Sequence, residues 1–362
     1  MTRFKLLKWR DLPEAERKLW AGLRSADPRL RSPYFDPVFF DLLDRVRGDL
    51  EVLVADDGQG GAAFLPLHRA GFGAVVPAGG PLSDWHGFVA AADFAPDAAD
   101  ALAGVGLSAL RFDSAVEGLG LAGGEPRLAH ALDLRGGFET YHARRRAAAG
   151  KAWRSLASRE RRLREAGVRV ELLVDDRDPA TLRTLLAWKS AQYRRTRQFD
   201  LFSRPWIVRL LEDLSQTRRP CFRGRVSSLR LDGRLAAAHI GMQSGGVLHY
   251  WFPAFDPALA EHGPGLLLLT GLARRAAELG LYEIDLGKGD YRFKREFADP
   301  GQTALSGAVF ASNAAGRLGS LVQDVASGWR SLPLGPAAAL PERVSRRLRR
   351  DLGYLAPDLR RA

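Results

Sequence analysis

The sequence predicts an α+β fold built from two domains of similar element order, followed by a basic, helical C-terminal segment. Its 362 residues exceed the size of most single domains, which cluster near roughly 100–150 residues. The first half reads as helix, hairpin, helix and strand, and the second half repeats this logic more clearly. We therefore expect domains at 1–138 and 139–312 and a tail at 313–362.

Composition fits a folded protein without cross-links. Apolar residues make up 46% and charged residues 27%, as in ordinary globular proteins. The single cysteine, Cys221, excludes an intramolecular disulfide and favours a reducing compartment. The sequence shows neither a signal-peptide core nor an apolar run long enough to span a bilayer. These features predict a cytoplasmic protein, with peripheral attachment at the inner membrane as an alternative.

The net charge of +12 favours anionic partners, and two basic clusters contribute to it. Residues 144–164 hold nine Lys or Arg, which predicts a solvated linking helix or, alternatively, a face for a polyanion. In 343–350, five of eight residues are Arg. Guanidinium groups suit phosphates, so this segment is a candidate for an anionic membrane surface or a nucleotide such as cyclic di-GMP. No DNA- or RNA-binding motif is recognisable, and no specific nucleic acid is expected.

Hydrophobic periodicity and turn residues predict the elements of both halves. Hairpin turns are expected at Asp57-Gly58, Asp232-Gly233 and Gly245-Gly246. An amphipathic helix is expected over 317–332. The other predicted helices are 13–23, 33–46, 91–102, 144–166, 179–195, 206–215 and 264–279. The predicted strands are 4–7, 50–55, 61–67, 109–113, 168–173, 225–231, 235–243, 247–255 and 283–286.

A Gly-Pro-Gly turn, Gly263-Pro264-Gly265, precedes the helix predicted at 264–279. Proline suits the first helical turn because its missing N–H is not needed there. The free amides and the dipole of a helix start attract anions, and glycines let a phosphate approach the backbone. The turn is therefore a candidate anion site, and a plain strand-to-helix turn is the alternative interpretation.

Two features at the ends of predicted strands point to a ligand slot. Pro253 lies in the strand predicted at 247–255 and cannot donate a ladder hydrogen bond, so this strand is expected to part from a neighbour. An edge-strand proline is the alternative. Asp285, with Gly287 and Gly289, ends the last predicted strand, and ligands of open sheets bind at such ends. Asp285 is suited to orient or deprotonate an amine, unless it only caps a polar turn.

As a set, these motifs resemble the BioF2-like or CelD (BcsL)-type acetyltransferase family of the GNAT superfamily. Members occur in bacterial exopolysaccharide and cellulose gene sets. They are similar to Fem-type aminoacyl transferases, which carry two GNAT-like domains in tandem. The resemblance thus implies tandem GNAT-like domains, the first degenerate. The matching pieces are Ala237-Ala238-His239, 248–257, Pro264-Gly265, 285–289, and Tyr291 through Lys294 to Phe297, with the helix bearing Lys189 and Gln192.

The resemblance also implies acetyl-CoA as the acyl donor, no metal, and a saccharide or small-molecule acceptor. The slot beside Pro253 would take the pantetheine arm. One departure concerns the pyrophosphate loop, which in GNAT enzymes usually reads Arg/Gln-x-x-Gly-x-Gly/Ala. Here the loop has Glu261 and His262 before Gly263 and Gly265, so the glycines are kept. A different activated donor therefore stays open.

A histidine suits the general base of amine acylation because its pKa lies near neutrality, and His239 is predicted in that role. A two-residue turn would place it with Tyr250 and Phe252, a three-residue turn with His249 and Trp251, and the sequence leaves this open. Lys294 resembles the Fem-type lysine near a substrate phosphate or the developing oxyanion. The amides of 252–254 are expected to hold the thioester oxygen. The predicted site comprises catalytic His239, Asp285 and Lys294, cofactor-binding Phe252, Ala254, Gly263 and Gly265, and substrate-binding Tyr250, Trp251, Tyr291 and Gln192, with core packing as the alternative for the aromatics.

The expected function is acetyl-CoA-dependent N-acylation of an amino sugar in exopolysaccharide or cell-envelope polysaccharide biosynthesis. One alternative is a non-catalytic or cyclic-di-GMP-responsive regulator of polysaccharide synthesis, which the changed loop favours. The other is a Fem-type transferase that uses aminoacyl-tRNA, which the basic surface would suit.

Overall fold

The structure, a computed structural model, describes residues 2–321. The chain divides into two compact units. The first comprises Met1–Leu30, Tyr34–Arg127 and the segment that begins at Thr303, and the second comprises Arg31–Pro33 and Leu128–Gln302. The chain thus returns to its first unit after completing the second.

These limits differ from the predicted domains at 1–138 and 139–312, because the segment after Gln302 adds a strand to the first unit. The predicted domain limits stay predictions. Most of the predicted tail at 313–362, including its Arg-rich segment, lies outside the described residues; residues 314–321 are helical.

Residues 3–310 form thirteen β-strands and eight α-helices. They are β1 (Arg3–Lys8), α1 (Glu14–Ala26), α2 (Pro37–Arg47), β2 (Glu51–Asp56), β3 (Ala62–Gly71), β4 (Ala74–Pro77), β5 (Val89–Ala90), α3 (Ala98–Gly104), β6 (Ala109–Val116), β7 (Gly124–Asp133), α4 (Gly137–Glu165), β8 (Val170–Leu173), α5 (Pro179–Arg195), α6 (Pro205–Gln216), β9 (Phe222–Leu231), β10 (Arg234–Ser244), β11 (Val247–Phe255), α7 (Pro264–Arg274), β12 (Glu283–Lys288), α8 (Arg292–Phe297) and β13 (Asp299–Phe310).

The first unit is a sheet in the order β1-β2-β3-β4-β6-β13, with β5 beside β3. Strands β4 and β6 run parallel, and the other neighbours are antiparallel. Leu53, Leu65, Val75 and Leu110 are buried in its core, which includes Leu102 of α3. This burial supplies the hydrophobic stabilisation of the unit.

The second unit is a sheet in the order β7-β12-β11-β10-β9-β8, in which β11 and β12 run parallel. Helices α5 and α6 pack against β9, β10 and β11, and α7 packs against the same strands and against α4. The core cluster that contains α4 and α7 takes Leu248 and Tyr250 from β11. Because side chains alternate along a strand, His249 points to the opposite face, where α5 and α6 lie.

Local signals explain the helices that were predicted well. Helix α5 has the predicted bounds because Asp178 caps it, accepting from Ala180 N at 2.8 Å, and Pro179 opens it. Helix α7 begins at the predicted Pro264 but ends at Arg274, where turns replace the last part of the predicted helix. Helix α4 begins at Gly137, before the predicted start at 144, and is kinked at Ala149.

In residues 2–321 no helix has the length and apolar character needed to cross a membrane.

Candidate functional site

The parallel ladder between β11 and β12 is short and leaves a fork. It consists of the pairs Val247–Glu283, Leu248–Ile284 and His249–Asp285. Beyond His249, β11 continues to Phe255 paired with β10 alone. The prediction that this strand parts from a neighbour is confirmed. We call the gap after the last pair the fork.

A β-bulge distorts β11 at the point where the fork opens. The register with β10 shifts between Ile240 and Met242, so that Gly241 faces an extra residue of β11. A Cβ atom at Gly241 would collide with the carbonyl oxygen of His249, which explains the glycine. The extra residue brings the rings of Trp251 and Phe252 together, stacked at 4.9 Å between centroids. The bulge therefore changes the direction of the side chains in the part of β11 that follows His249.

One hydrogen bond shows which way the backbone N–H and C=O groups of residues 252–256 point. Asp256 N donates to Ala236 O at 2.9 Å, so the amides of Ala254 and Phe252, two and four residues earlier, also point toward β10. The backbone of Pro253 and Phe255 then faces the fork. Proline is tolerated in this central strand because it has no amide to leave unpaired on that edge. Phe255 thus directs an amide toward the fork, and the predicted role of the Phe252 and Ala254 amides as donors to the thioester oxygen stays a prediction.

A buried histidine–carboxylate pair lies at the base of the fork. His249 Nδ1 is 2.9 Å from Asp285 Oδ2, and the two side chains are 1% and 5% exposed. Asp285 Oδ1 accepts from Gly287 N at 2.8 Å, which fixes the carboxylate. Because an ionised carboxylate only accepts, His249 Nδ1 carries the proton, and the lone pair of the neutral ring is on Nε2. Such a ring is oriented to act as a general base, and its cation would be stabilised by Asp285.

Lys294 of α8 binds the carboxyl-terminal end of β12. It is 5% exposed, and its ammonium donates to the carbonyls of Leu286 at 2.7 Å, Gly287 at 3.1 Å and Lys288 at 2.6 Å. Gly287 has a φ of 67°, in the left-handed region that favours glycine. All three N–H donors of Lys294 are thus directed at backbone carbonyls. The geometry gives Lys294 a positioning role, and its predicted contact with a phosphate or oxyanion stays a prediction.

His239 lies in the neighbouring strand, and within residues 2–321 neither of its ring nitrogens has a hydrogen-bond partner. The Gly245-Gly246 turn has two residues, since Ser244 pairs with Val247, and the His239 ring stacks on Tyr250 at 4.1 Å. The two-residue turn thus places His239 with Tyr250, as expected, but the bulge turns Phe252 away from them. Burial is the main cause that lowers the pKa of His239 well below its usual value, and burial raises the pKa of Tyr250. Of the two predicted catalytic residues His239 and Asp285, Asp285 binds His249, and the catalytic role of His239 stays a prediction.

The start of α7 lies beside a basic residue of another helix. Gly263 has a φ of 65° and precedes Pro264, as expected for an anion-binding turn. A Cβ atom at Gly263 would overlap the guanidinium of Arg159 from α4, and one at Gly265 would lie 3.6 Å from the ring of Phe255. Arg159 thus places a cation where the loop itself has Glu261 and His262. The sequence showed the basic helix but not which of its residues reaches the turn.

The remaining predicted substrate residues are spread around the fork. Tyr291 is 58% exposed, and its ring lies 5.5 Å from Lys294 Nζ. Trp251 and Gln192 are partly buried, on β11 and α5 respectively. The predicted roles of these three residues in substrate binding stay predictions. Within residues 2–321, no group of three His, Cys, Asp or Glu side chains is arranged to hold a metal ion.

Residues 150–295 match the family model described as an acetyltransferase (GNAT) domain. This part of the chain, less than half of its length, is thus similar to a GNAT acetyltransferase domain. The matched range includes α5, the fork, α7 and Lys294, so the site described above lies within that range. The predicted mixed fold with a GNAT domain is confirmed, and the narrower BioF2-like or CelD-type assignment stays a prediction.

One solved structure shows the same fold at low identity, and two others are similar to a lesser extent. The crystal structure of FemX aligns with a TM-score of 0.56 and 10% identity over 85% of this chain and 98% of that chain. The C-terminal domain (DUF2156) of a putative lysylphosphatidylglycerol synthetase from Agrobacterium fabrum gives 0.49 and 16%, covering 86% and 96%. A tandem GNAT protein from the clavulanic acid biosynthesis pathway gives 0.44 and 13%, covering 87% and 100%. Of the three, FemX alone supports the fold, and it supports nothing more. No curated protein matches the chain.

Proposed function

We propose that this protein is an N-acyltransferase that uses acetyl-CoA to acetylate the amino group of an amino sugar during exopolysaccharide or cell-envelope polysaccharide biosynthesis. The observation that carries the acyl transfer is the His249–Asp285 pair at the base of the fork in a GNAT domain. The amino sugar and the polysaccharide context rest on the family resemblance of the sequence.

The residues around the fork fit an acyl-CoA donor. The edge of β11 at Pro253 and Phe255 offers backbone groups to an extended pantetheine arm. The first turn of α7, at Gly263, offers amides and a helix dipole to the pyrophosphate, and Arg159 adds a full positive charge. The glycine leaves room there that a side chain would fill.

The pair at the base of the fork supplies the proton transfer that amine acylation needs. His249 takes a proton from the acceptor amine as the amine attacks the thioester carbonyl. The new C–N bond replaces the C–S bond, and the thiol of CoA leaves with a proton. Asp285 keeps the imidazole in the tautomer whose lone pair is on Nε2 and stabilises the imidazolium. The amide of Phe255 is directed toward the fork, where it can donate to the thioester oxygen.

The first test is calorimetry of the full chain with acetyl-CoA, where we expect micromolar binding. Turnover is then measured with glucosamine as acceptor, by the release of the CoA thiol to a disulfide reagent. Because Cys221 is an exposed free thiol, the assay uses Cys221→Ser as its background. Absence of both binding and turnover would overturn the proposal.

A different outcome would favour the Fem-type alternative. The helix α4 carries many exposed basic residues, which suit a polyanion. If acetyl-CoA does not bind but tRNA does, with an affinity that falls steeply as salt rises, the donor is an aminoacyl-tRNA.

A further inference from the structure

A lysine on the sheet-facing side of α5 lies outside the proton-transfer site. Leu182, Leu185 and Lys189 recur at helical spacing, and both leucines are buried where α5 packs on β10 and β11. Lys189 is partly buried on the same stripe. Its ammonium therefore lies on the face of the sheet to which His249 points.

Within the part of the chain that the structure describes, this ammonium has no anionic partner. The ammonium of Lys189 lies over the ring of Tyr193, with Nζ 5.6 Å from the ring centroid. Burial alone lowers the pKa of Lys189 to about 8, and no carboxylate opposes that effect. The nearby carboxylate of Asp200 binds Ser190 and Arg194 instead. Lys189 thus differs from Lys294, whose donors are all directed at carbonyls.

A row of aromatic rings leads from Lys189 to the fork. Tyr193 lies 5.9 Å from Phe202, and Phe202 lies 5.4 Å from Phe252, between ring centroids. Phe252 stacks on Trp251 at 4.9 Å, and Trp251 lies 6.4 Å from the ring of His249. The lysine and the histidine therefore lie at the two ends of one row of contacting rings.

We propose that Lys189 binds an anionic group of the acceptor, a carboxylate or a phosphate, while the amine of the same molecule lies at His249. The inference rests on the acyltransferase function proposed above. A partly buried ammonium without a counter-ion has lost hydration that no protein group replaces. An oxyanion at this position restores the lost interaction with charge-assisted hydrogen bonds, and it fixes the orientation of the amine along the row of rings.

The first experiment is chemical labelling of lysines, which does not depend on turnover. The wild-type protein is treated with an amine-acetylating reagent, alone and with muramic acid, glucosamine 1-phosphate, glucosamine 6-phosphate or glucosamine. Modification is read by peptide mass spectrometry, with exposed Lys151 of α4 as the internal control. We expect at least one anionic sugar to reduce labelling of Lys189 about fivefold or more at saturating ligand, with glucosamine and Lys151 unaffected. Equal labelling of Lys189 with all four sugars would overturn the inference.

The second experiment separates binding from chemistry. Lys189→Gln is expected to raise the KM of the protecting sugar roughly tenfold while kcat changes little, because the lost contact is made equally in substrate and transition state. Lys189→Arg should recover part of the loss. Arg183→Gln removes a charge from the exposed side of the same helix and should change neither constant. If wild-type protein transfers no acetyl group at all, the proposed function fails, and the labelling result still decides whether Lys189 binds an anion.

Discussion

Each unit contains a parallel strand pair, and the two pairs carry different side chains. In the first unit, β4 and β6 pair through Ala74–Ala109 and Val75–Leu110, and all four side chains are apolar. In the second unit, the pair of β11 and β12 ends on His249–Asp285.

The comparison indicates that a parallel strand pair can serve core packing in one unit and hold titratable side chains in the other. Val75 and Leu110 are fully buried and belong to the core cluster of their unit. A titratable pair in a buried parallel ladder costs desolvation free energy, and it persists where its charges and hydrogen bonds are satisfied, as by Gly287 N. We therefore propose that acyl transfer takes place in the second unit and that the β4–β6 pair contributes only to the stability of the first unit. Four substitutions test this contrast.

The largest effect is expected from Asp285→Asn. An asparagine has one carbonyl oxygen and cannot accept from both His249 and Gly287, as Asp285 does. Either the turn loosens or the imidazole adopts the wrong tautomer. We expect kcat/KM to fall roughly 100-fold or more, as for loss of a general base, measured by thiol release in the Cys221→Ser background.

The matched control for this variant lies in the first unit. Leu110→Ala should destabilise the protein by roughly 2–5 kcal/mol in urea unfolding, because it leaves a cavity in the core. Transfer by the folded fraction should stay at the wild-type rate. Wild-type turnover in Asp285→Asn, or a kinetic defect in folded Leu110→Ala, would remove the contrast between the two strand pairs.

The next effect is expected from Lys294→Met, which removes the donor to the last three carbonyls of β12. Leaving buried acceptors without partners should cost about 2–3 kcal/mol in denaturant unfolding. We also expect kcat to fall about tenfold, because the turn beside Asp285 loses its position. Arg292→Met, on the exposed side of the same helix, serves as the control. An unchanged unfolding midpoint for Lys294→Met would contradict the carbonyl contacts.

A smaller effect is expected from Arg159→Ala. If Arg159 supplies the charge at the start of α7, its loss should raise the KM for acetyl-CoA roughly three- to tenfold with little change in kcat. The matched control is Arg161→Ala, which removes an exposed charge from the other side of the same helix. Equal KM values for the two variants would show that Arg159 takes no part in donor binding.

The sequence predicted much of the second unit because its signals are local. The proline and capping aspartate of α5 and the Gly245-Gly246 turn each lie within a few residues of the element that they define. Strands β7 and β13 were missed. Residues 124–128 of β7 are largely exposed and polar, which hides its alternation.

The candidate site was less predictable because it depends on pairings between distant segments. His249 and Asp285 are 36 positions apart, and their meeting depends on a parallel register that no turn fixes. The bulge at Gly241 also moved Phe252 away from His239, which a count of turn residues cannot foresee. The sequence also did not reveal that Lys294 donates to carbonyls of the strand that precedes its helix.

The smallest effect is expected from His239→Leu, and it is the sharpest test of which histidine is the base. The His239 ring is fully buried, and in the described residues neither of its nitrogens has a hydrogen-bond partner, so leucine should change stability at pH 7.5 by no more than about 1 kcal/mol. Its pKa is lowered by burial in the folded state, so the unfolded chain binds more protons, and wild-type stability falls as the pH drops through the ordinary histidine value of 6.5. His68 and His130 also have lowered pKa values, and they contribute equally to the pH dependence of the wild-type protein and of His239→Leu. Between pH 7.5 and 5.5, His239→Leu should therefore lose less stability than the wild type, and the difference is the contribution of His239. Urea unfolding at the two pH values measures that contribution, and kcat/KM should stay within about twofold of wild type. A folded His239→Leu protein that has lost transfer as completely as Asp285→Asn would move the base from the fork to the neighbouring strand.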